Sequence, residues 1–340
     1  MRTALVGCGG IAAVHAAVLK NLADCEIVGF ADIIPERAQR FAAEYGGNAY
    51  ASLEEMLEAE KPEVLHICTP HYLHVPMAVY ALEHHVHVFM EKPPVISWQQ
   101  LAQLEEAVLK SDKKLGVCFQ NRYNPCVQAV KELLASGEAG KIKGARAFVT
   151  WNRQTPYYTE SGWRGSLATE GGGALINQSV HTLDLLVYLI GQPVWTDAVI
   201  ANHHLKGIIE VEDMMEANIR FADASAVFYA TTAYCTDDAP LIELFCENMK
   251  IRMEDPRVEL IYPDGTRKVP ETKVIAPLGK GYWGSGHGSC IHDFHDAVKN
   301  NRPYPQELNG IKETTKLMLA MYESARKGHA VQLTETREEK

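Results

Sequence analysis

The sequence has no excess of basic residues and no long apolar run. Lys and Arg number 33 against 43 for Asp and Glu, so the formal net charge is −10. A chain of this charge is not attracted to nucleic acid or to an anionic membrane surface. No uninterrupted apolar stretch approaches the ~20 residues that span a bilayer. We therefore expect no nucleic-acid partner and no membrane partner.

Paired cysteines are also missing. None of the eight cysteines is spaced Cys-x-x-Cys, and several stand in apolar, strand-like runs where cysteine acts as a small hydrophobe. This excludes a cysteine-paired zinc site and favours a reduced, cytoplasmic protein without disulfides. His292 and His295 lie on a predicted helix, but no neighbouring segment adds a clear further ligand, so we predict no metal. The N-terminal apolar stretch is interrupted by glycines, so we expect no export signal.

The first 120 residues alternate short apolar runs with segments of helical spacing. Strand-like runs at 3–6, 26–31 and 64–69 alternate with helical patterns such as 11–23 and 35–45. Buried strands that alternate with helices are typical of a parallel sheet covered on both faces. With 340 residues the chain is long enough for two domains. We predict an α/β protein whose first domain, residues 1–121, is a doubly wound, Rossmann-type domain.

The pattern changes after residue 121. A helical segment at 125–136 is followed by a long strand-like run at 142–152 and by several further strands with short connections. Asp264-Gly265 marks a hairpin turn. Short connections without crossover helices favour antiparallel pairing. We therefore predict that residues 122–340 form an α+β domain with an open, mostly antiparallel sheet.

Residues 7–12 read Gly-Cys-Gly-Gly-Ile-Ala, a G-x-G-x-x-A pattern between a strand and a helix. Gly7 permits the tight turn, Gly9 lets the backbone approach a pyrophosphate, and Ala12 lets the helix pack closely on the strand. The N–H groups and the dipole at the helix start favour the bound anion. The turn therefore predicts a dinucleotide-binding site.

Asp32 ends the second strand, 20 residues after Ala12. A carboxylate at this place accepts hydrogen bonds from the ribose hydroxyls and repels a 2′-phosphate. Arg37 lies nearby, and an arginine here can accept a 2′-phosphate, although a solvated position on the helix explains it as well. We predict NAD as the cofactor, with NADP less favoured.

Two polar segments begin where predicted parallel strands end. The first is Thr69-Pro70-His71-Tyr72-Leu73-His74, and the second is Glu91-Lys92-Pro93. In an open α/β sheet, ligands bind at the carboxyl ends of the strands, so both segments should face the dinucleotide. A lysine beside the bound nicotinamide can act as a proton acceptor. Lys92 is therefore our candidate base.

A third segment starts with Gly171-Gly172-Gly173 and leads into a predicted helix. Asn177 and His181 are four residues apart, on one face of that helix, and could present an amide and an imidazole to one substrate. A helix with an internal, hydrogen-bonded histidine is the structural alternative. Aromatic residues just before the glycines, Tyr158 and Trp163 among them, could stack on a sugar ring or pack between domains.

Eight segments, in order over nearly the whole chain, share the pattern of one family. They are GCGGIA (7–12), Asp32, TPHYLH (69–74), EKPP (91–94), QNRYNP (120–125), GWRG (162–165), GGGALINQSVHTLDLL (171–186) and MYESARKGHAVQL (321–333). On these residues the chain resembles the Gfo/Idh/MocA oxidoreductases, the glucose-fructose oxidoreductase and inositol dehydrogenase family.

The resemblance implies an NAD(P)-dependent dehydrogenase that acts on a secondary hydroxyl of a sugar, a sugar derivative or a cyclitol. By position, Lys92 matches the catalytic lysine of the family and His181 its substrate-facing histidine. The implied substrate-binding residues are Asn177, Tyr158, Trp163 and Arg164. The implied cofactor-binding residues are Gly7, Gly9, Gly10, Ile11, Ala12, Asp32, Ile33, Arg37, Thr69, Pro70, His74, Glu91, Lys92, Gln120, Trp163, Arg164 and Tyr282. The family's open sheet often mediates oligomerisation, so we expect a homodimer or a homotetramer.

Asn177 departs from the family pattern, because many members carry Asp there. Asn cannot accept a proton, so the proton relay would rest on Lys92 and His181. Two other functions stay open. One is a glycosidase or lyase that uses bound NAD transiently with no net redox change, and the other is a non-catalytic NAD-sensing regulator. Retention of Lys92 and His181 favours an enzyme, since a sensor needs no proton transfer.

Overall fold

The computed structural model describes residues 1–273, 275–278 and 284–333. The chain divides into two compact units, residues 1–120 with 277–311 and residues 121–276 with 312–340. The predicted second domain included residues 277–311, which the structure groups with the first unit. The physical reason is a set of buried side-chain bonds within that unit, for example from the Gln306 amide to the Phe119 backbone.

The first unit contains a parallel sheet, in which six strands lie among the described residues. Their spatial order is β3-β2-β1-β4-β5-β6. The order reverses at β1, which pairs with β2 on one side and with β4 on the other, so the carboxyl end of β1 is the switch point where ligands bind. The strands are β1 (Arg2–Val6), β2 (Glu26–Ala31), β3 (Asn48–Tyr50), β4 (Val64–Ile67), β5 (His87–Glu91) and β6 (Leu115–Cys118).

Ten α-helices lie within the part of the chain that the structure describes. They are α1 (Gly10–Lys20), α2 (Pro35–Tyr45), α3 (Leu53–Glu60), α4 (His74–Glu83), α5 (Trp98–Lys110), α6 (Pro125–Ser136), α7 (Thr155–Thr159), α8 (Val180–Ile190), α9 (His287–Lys299) and α10 (Leu308–Lys327). Residues Ala174–Ser179 form a π-helix directly before α8. None of the helices described is both long and apolar enough to cross a membrane.

The second unit contains a mixed sheet with nine strands among its described residues. Their spatial order is β14-β13-β12-β11-β7-β10-β9-β8-β15. Every neighbouring pair is antiparallel except β7 and β10, so the prediction of a mostly antiparallel sheet is confirmed. The strands are β7 (Ile142–Thr150), β8 (Pro193–Ala201), β9 (Met214–Phe221), β10 (Ser225–Thr231), β11 (Leu241–Cys246), β12 (Lys250–Glu254), β13 (Arg257–Ile261), β14 (Arg267–Lys268) and β15 (Val331–Gln332).

β8 ends earlier than the apolar pattern predicts. The sequence of residues 198–204 indicates a strand, whereas the observed strand runs over Pro193–Ala201. The Asp213 carboxylate accepts hydrogen bonds from the backbone N–H groups of His203, His204 and Leu205. These bonds turn the chain out of the sheet, because the N–H groups no longer point toward a neighbouring strand.

The two faces of the second sheet differ. α8 packs on β7, and the π-helix packs on β9 and β10, so this side forms a core that includes Ile219 and Phe221. On the opposite face, Val199 is 58% exposed and Val227 is 49% exposed. The ring of Tyr229 lies 6.2 Å from that of Phe148 on the neighbouring strand. We call this second side the open face.

Candidate active site

The glycine turn joins β1 to α1. Gly7 has φ +87°, and a Cβ on it would lie 2.7 Å from the carbonyl oxygen of Cys68, so only glycine fits there. A Cβ on Gly9 or Gly10 would meet nothing within 4 Å. Open space beside the first backbone N–H groups of α1 suits a pyrophosphate, because these groups and the helix dipole attract an anion.

Asp32 faces this turn from the end of β2. Its Oδ2 accepts a hydrogen bond of 2.7 Å from the backbone N–H of Cys8, and its Oδ1 accepts one of 2.8 Å from Ile34. The carboxylate is therefore held in place before any ligand binds. Each oxygen still has a lone pair for a ribose hydroxyl. Ile33, beside it, is 88% exposed, and Arg37 is also exposed.

His74 connects the two predicted strand-end segments. Its Nδ1 lies 2.8 Å from the Pro93 carbonyl oxygen, and its Nε2 lies 2.9 Å from the Thr69 carbonyl oxygen. The ring is fully buried, and burial lowers its pKa. His74 therefore fixes the loop after β4 against the loop after β5, which carries Lys92.

Glu91 and Lys92 follow one another at the end of β5. Glu91 is buried and its Oε1 lies 2.9 Å from His15 Nε2, whereas Lys92 is half-buried. Burial alone would raise the pKa of Glu91, but the hydrogen bond from His15 outweighs it and the pKa lies below its usual value. Glu91 is therefore ionised at neutral pH. Gln120, at the end of β6, is also buried.

The glycine run in the second unit is required by packing. A Cβ on Gly172 would lie 2.0 Å from the Tyr322 hydroxyl, and one on Gly173 would lie 2.2 Å from the Glu212 carbonyl oxygen. Glu212 in turn accepts hydrogen bonds from Tyr322 and from the backbone N–H of Leu175. The glycines thus allow the π-helix to approach a buried Glu–Tyr pair of its own unit.

Asn177 lies in the π-helix, where backbone hydrogen bonds join residues i and i+5. The expected i, i+4 spacing of Asn177 and His181 on an α-helix therefore does not describe this segment. The Asn177 amide donates a hydrogen bond of 2.5 Å to Glu170 Oε1 and lies 3.4 Å from the Tyr157 hydroxyl. His181 is in the first turn of α8 and is half-buried.

Glu170 is a buried carboxyl that the sequence reasoning missed. Its Oε2 accepts a hydrogen bond of 2.5 Å from the backbone N–H of Gly165, and its Oε1 binds Asn177. Burial raises the pKa of Glu170 to about 7. The available signal was an acid placed directly before the glycine run. The hydrogen bond between Glu170 and Asn177 fixes the orientation of the Asn177 side chain.

The aromatic residues of this unit are placed differently from one another. Tyr158 is 4% exposed, packs with Leu205, Ile209 and Val211, and bonds Thr232, so the structure places this predicted substrate residue in the core. Tyr157 is the tyrosine that contacts Asn177. Arg164 lies over the Tyr157 ring at 4.4 Å and over the Trp163 ring at 4.9 Å. Tyr282, predicted to contact the cofactor, lies outside the described residues.

Two family models match the chain. Residues 1–119 match the one described as "Oxidoreductase family, NAD-binding Rossmann fold", and residues 127–252 match the "GFO/IDH/MocA C-terminal domain". The order of the strands and the glycine turn define the same dinucleotide-binding class of fold. The chain belongs to the GFO/IDH/MocA oxidoreductase family, and its first 119 residues are an NAD-binding Rossmann domain.

Named relatives include sugar dehydrogenases. The D-glucoside 3-dehydrogenase of Escherichia coli (strain K12) is 32% identical over 57% of this chain and 55% of that protein. The glucose-6-phosphate 3-dehydrogenase of Bacillus subtilis (strain 168) is 28% identical over 57% of this chain and 55% of that protein. The chain thus spans little more than half the length of these two relatives. The WlbA dehydrogenase from Bordetella pertussis, crystallised with NADH and UDP-GlcNAcA, is 27% identical in sequence to this chain. Comparison of the two structures gives a TM-score of 0.85 and covers 98% of each chain.

Proposed function

We propose that the protein is an NAD-dependent dehydrogenase that oxidises a secondary hydroxyl of a sugar or sugar derivative. The observation that carries the proposal is the pre-positioned Asp32 carboxylate at the glycine turn, in the same unit as the strand-end Lys92. Relatives named as sugar dehydrogenases support it. A cyclitol remains within the same chemical class, because its ring also carries secondary hydroxyls.

Lys92 is the proposed base. NAD, when bound, would supply the hydride acceptor, so a protein group would have to take the hydroxyl proton. Lys92 is half-buried at the strand end, so its amine can reach a ligand there. His181 binds the same hydroxyl and completes the relay, while Asn177 orients a neighbouring hydroxyl. Trp163 and Arg164 supply a stacked cationic surface, and Arg164 can pair with a phosphate or carboxylate on the substrate.

The substrate class follows from these groups and from the relatives. Two relatives are named as 3-dehydrogenases of a glucoside and of glucose 6-phosphate, and a neighbour was crystallised with a nucleotide-linked uronic sugar. We therefore propose a pyranose ring as substrate and its third carbon as the first position to test.

The protein is proposed to be a cytoplasmic homodimer or homotetramer. All eight cysteines lie among the described residues, and none of them forms a disulfide, which favours a reducing compartment. The open face carries the exposed side chains Val199 and Val227, which suits contact with a second copy. The net charge of −10 argues against a nucleic-acid partner and against binding to an anionic membrane.

A panel of pyranosides, hexose phosphates, nucleotide-linked uronic sugars and inositols, incubated with NAD, tests the proposal. The expected result is reduced nicotinamide absorbance with at least one pyranose. Cleavage of a glycoside without net absorbance would instead establish the glycosidase or lyase function. Binding of NAD with neither reaction across the panel would favour the regulator.

A further inference from the structure

Glu170 and Asn177 belong to one hydrogen-bonded cluster in the second unit. Glu170 is 1% exposed, its Oε2 accepts a hydrogen bond from the backbone N–H of Gly165, and its Oε1 accepts one from Asn177 Nδ2. The Tyr157 hydroxyl lies 3.4 Å from the same Nδ2. Both oxygens of the carboxyl and the NH2 group of the amide therefore have bonding partners inside the unit.

The charge of Glu170 decides which edge of the Asn177 amide faces it. An ionised carboxylate only accepts hydrogen bonds, so it binds the NH2 group and not the carbonyl oxygen. In the planar amide, the carbonyl oxygen Oδ1 then lies on the opposite edge. An aspartate at this position would offer an acceptor oxygen in either orientation, whereas an asparagine offers one only when its NH2 group is held elsewhere.

The next residue along the chain shows the same arrangement. Arg153 is 7% exposed, and its Nε donates a hydrogen bond of 2.9 Å to Gln178 Oε1. The Gln178 NH2 group therefore faces the other way and donates to the Tyr157 hydroxyl over 2.7 Å. A buried charged side chain thus orients each of two consecutive amides. Side chains that bind a ligand are held in place by such hydrogen bonds from the residues behind them.

We propose that Glu170 is a positioning residue that makes Asn177 a hydrogen-bond acceptor toward the substrate. The inference rests on the proposed function, in which Asn177 orients a hydroxyl next to the reacting one. With its NH2 group held by Glu170, Asn177 directs Oδ1 to that hydroxyl, which has to donate. The site therefore selects a sugar with a hydroxyl at this carbon over one with a fluorine or a carbonyl there, since these groups only accept.

Protonation of Glu170 reverses this orientation. Gly165 keeps Oε2 as its acceptor, so the added proton is on Oε1 and donates to Asn177 Oδ1 once the amide has turned over. Burial raises the pKa of Glu170 to about 7, and the Glu212 carboxyl raises it further, whereas the Arg164 guanidinium lowers it. The other titratable groups that face Glu170 among the described residues are Tyr157, Tyr158 and Tyr322. Substrate affinity should therefore fall as the pH falls through this pKa.

The first test removes the charge of Glu170. In Glu170→Gln the new oxygen can accept from Gly165 while the new NH2 group faces Asn177, so the Asn177 amide turns over. At pH ~8.5 we expect the KM of the accepted sugar to rise ~10-fold or more with kcat little changed, because the lost contact binds ground state and transition state alike. At pH ~6 the two KM values should converge, because Glu170 is then protonated in the wild type.

Glu160→Gln, at an exposed acid of the same unit, is the matched control and should keep the KM of the wild type. A KM of Glu170→Gln equal to that of the wild type at pH ~8.5 would overturn the proposal.

The double variant Glu170→Gln/Asn177→Asp distinguishes orientation from a merely structural role. In it, the NH2 group of the new glutamine donates to one oxygen of the new aspartate, and the other oxygen accepts from the substrate hydroxyl. The KM should return to within roughly 3-fold of the wild-type value, since the acceptor is restored. A KM as high in the double variant as in Glu170→Gln would mean that the substitution acts through the structure alone, against the proposal.

Monofluoro analogues of the accepted sugar test the selectivity. A fluorine can accept weakly from an N–H group but cannot donate. At the carbon that Asn177 contacts, the wild type should discriminate against fluorine ~10-fold more strongly than Glu170→Gln does, because the variant presents Nδ2 there. Equal discrimination by the two proteins at every carbon that does not react would contradict the proposed acceptor.

The last measurement needs neither cofactor nor substrate. Asn177→Asp alone places two carboxyl groups against each other, so its melting temperature at pH ~8.5 should be at least ~2 °C below that of the wild type. Addition of Glu170→Gln should restore it, because an amide again faces a carboxylate. If no sugar is oxidised, the proposed function fails, but these melting temperatures still show whether Glu170 orients Asn177. No recovery in the double variant would overturn that orientation, whatever the activity.

Discussion

The carboxylate of Asp32 accepts a hydrogen bond from the backbone N–H of Cys8, over 2.7 Å. The end of β2 is thus bonded to the turn that receives the pyrophosphate. A 2′-phosphate on the ribose would stand beside this negative charge, whereas the hydroxyls of NAD can donate to it. The same bond therefore links the shape of the turn to the choice of cofactor.

The first prediction is that NAD binds much more tightly than NADP. In Asp32→Asn the ratio of the two dissociation constants should fall ~10-fold or more, because the repulsion between the carboxylate and the 2′-phosphate, about 1 kcal/mol or more, is removed. Asn keeps an acceptor for the Cys8 N–H, so the turn should persist. Titration of both cofactors against intrinsic fluorescence measures the two affinities. Asp112→Asn, an exposed acid of the same unit, is the control. Equal or tighter NADP binding by the wild type would mean that Arg37 outweighs Asp32.

The second prediction concerns Lys92. Replacement by Ala should lower turnover roughly 10²–10⁴-fold, the usual contribution of a positioned base, with little change in NAD affinity. His181→Ala should also lower turnover, and Asn177→Ala should have a smaller effect than either. Single-turnover reduction of bound NAD by an accepted sugar compares the three variants. A near-normal rate for Lys92→Ala would remove this residue from the mechanism.

Local rules predicted several elements well. Ser52, with Glu55 three residues later, has the pattern of a helix-capping box, and its hydroxyl accepts a hydrogen bond from the backbone N–H of Glu55 at the start of α3. Pro35 was predicted near a helix start, and it stands in the first turn of α2. These features depend on residues only a few positions apart, so they can be read from a short window. The glycine turn belongs to the same group, because strand, turn and helix follow one another directly.

The buried polar partners could not be predicted in that way. His15 and His66 are 51 positions apart, and they meet only because α1 packs on the sheet beside β4. A titratable residue inside an apolar strand, as His66 is, was the only local signal. Glu170 and Asn177 are close in sequence, but their bond depends on the π-helix, which no spacing rule predicted. Both cases need the tertiary packing before the chemistry can be deduced.

The third prediction tests the buried pair of Arg122 and Asp184. Arg122 donates two hydrogen bonds to the Asp184 carboxylate, at 2.7 Å and 2.5 Å, and Thr314 adds a third. Asp184→Asn removes the compensating charge, which typically costs about 3–5 kcal/mol of unfolding free energy for a buried pair. Urea denaturation should show this loss. Asp223 is an exposed acid of the same unit, and Asp223→Asn should leave the unfolding free energy unchanged. A loss of less than about 1 kcal/mol in Asp184→Asn would contradict the prediction.

The fourth prediction concerns the open face. Val227 lies at its centre, beside Arg146 on β7 and Asn218 on β9. Light scattering of the wild type at micromolar concentration should give at least twice the 37.8 kDa of one chain. Val227→Lys should shift the mass toward a single chain, because its charge would be buried beside Arg146, a residue of the same charge. Leu109→Lys, at an 87% exposed apolar residue of α5, should leave the mass unchanged. A monomeric wild type would rule out the proposed assembly.

The last prediction concerns Glu170 and pH. Its pKa of about 7 in the folded protein exceeds the value of about 4.3 expected in the unfolded chain, because burial disfavours the charged form. Between these two pKa values the folded state binds more protons than the unfolded state does. The stabilisation by the protonated carboxyl is therefore complete below pH ~4 and is lost as the pH rises to ~7. The loss is on the order of 3 kcal/mol.

Glu170→Gln removes this titration but keeps an oxygen that accepts a hydrogen bond. The unfolding free energy of the wild type, relative to that of the variant, should therefore fall as pH rises from 5 to ~7.5 and then level off. Urea denaturation at a series of pH values measures the difference, with the exposed Glu160→Gln as control. If the unfolding free energies of the wild type and of Glu170→Gln change in parallel over this pH range, the Glu170 carboxyl is ionised throughout. In that case the hydrogen bonds from Gly165 and Asn177 outweigh burial, and Glu170 holds a constant negative charge behind Asn177.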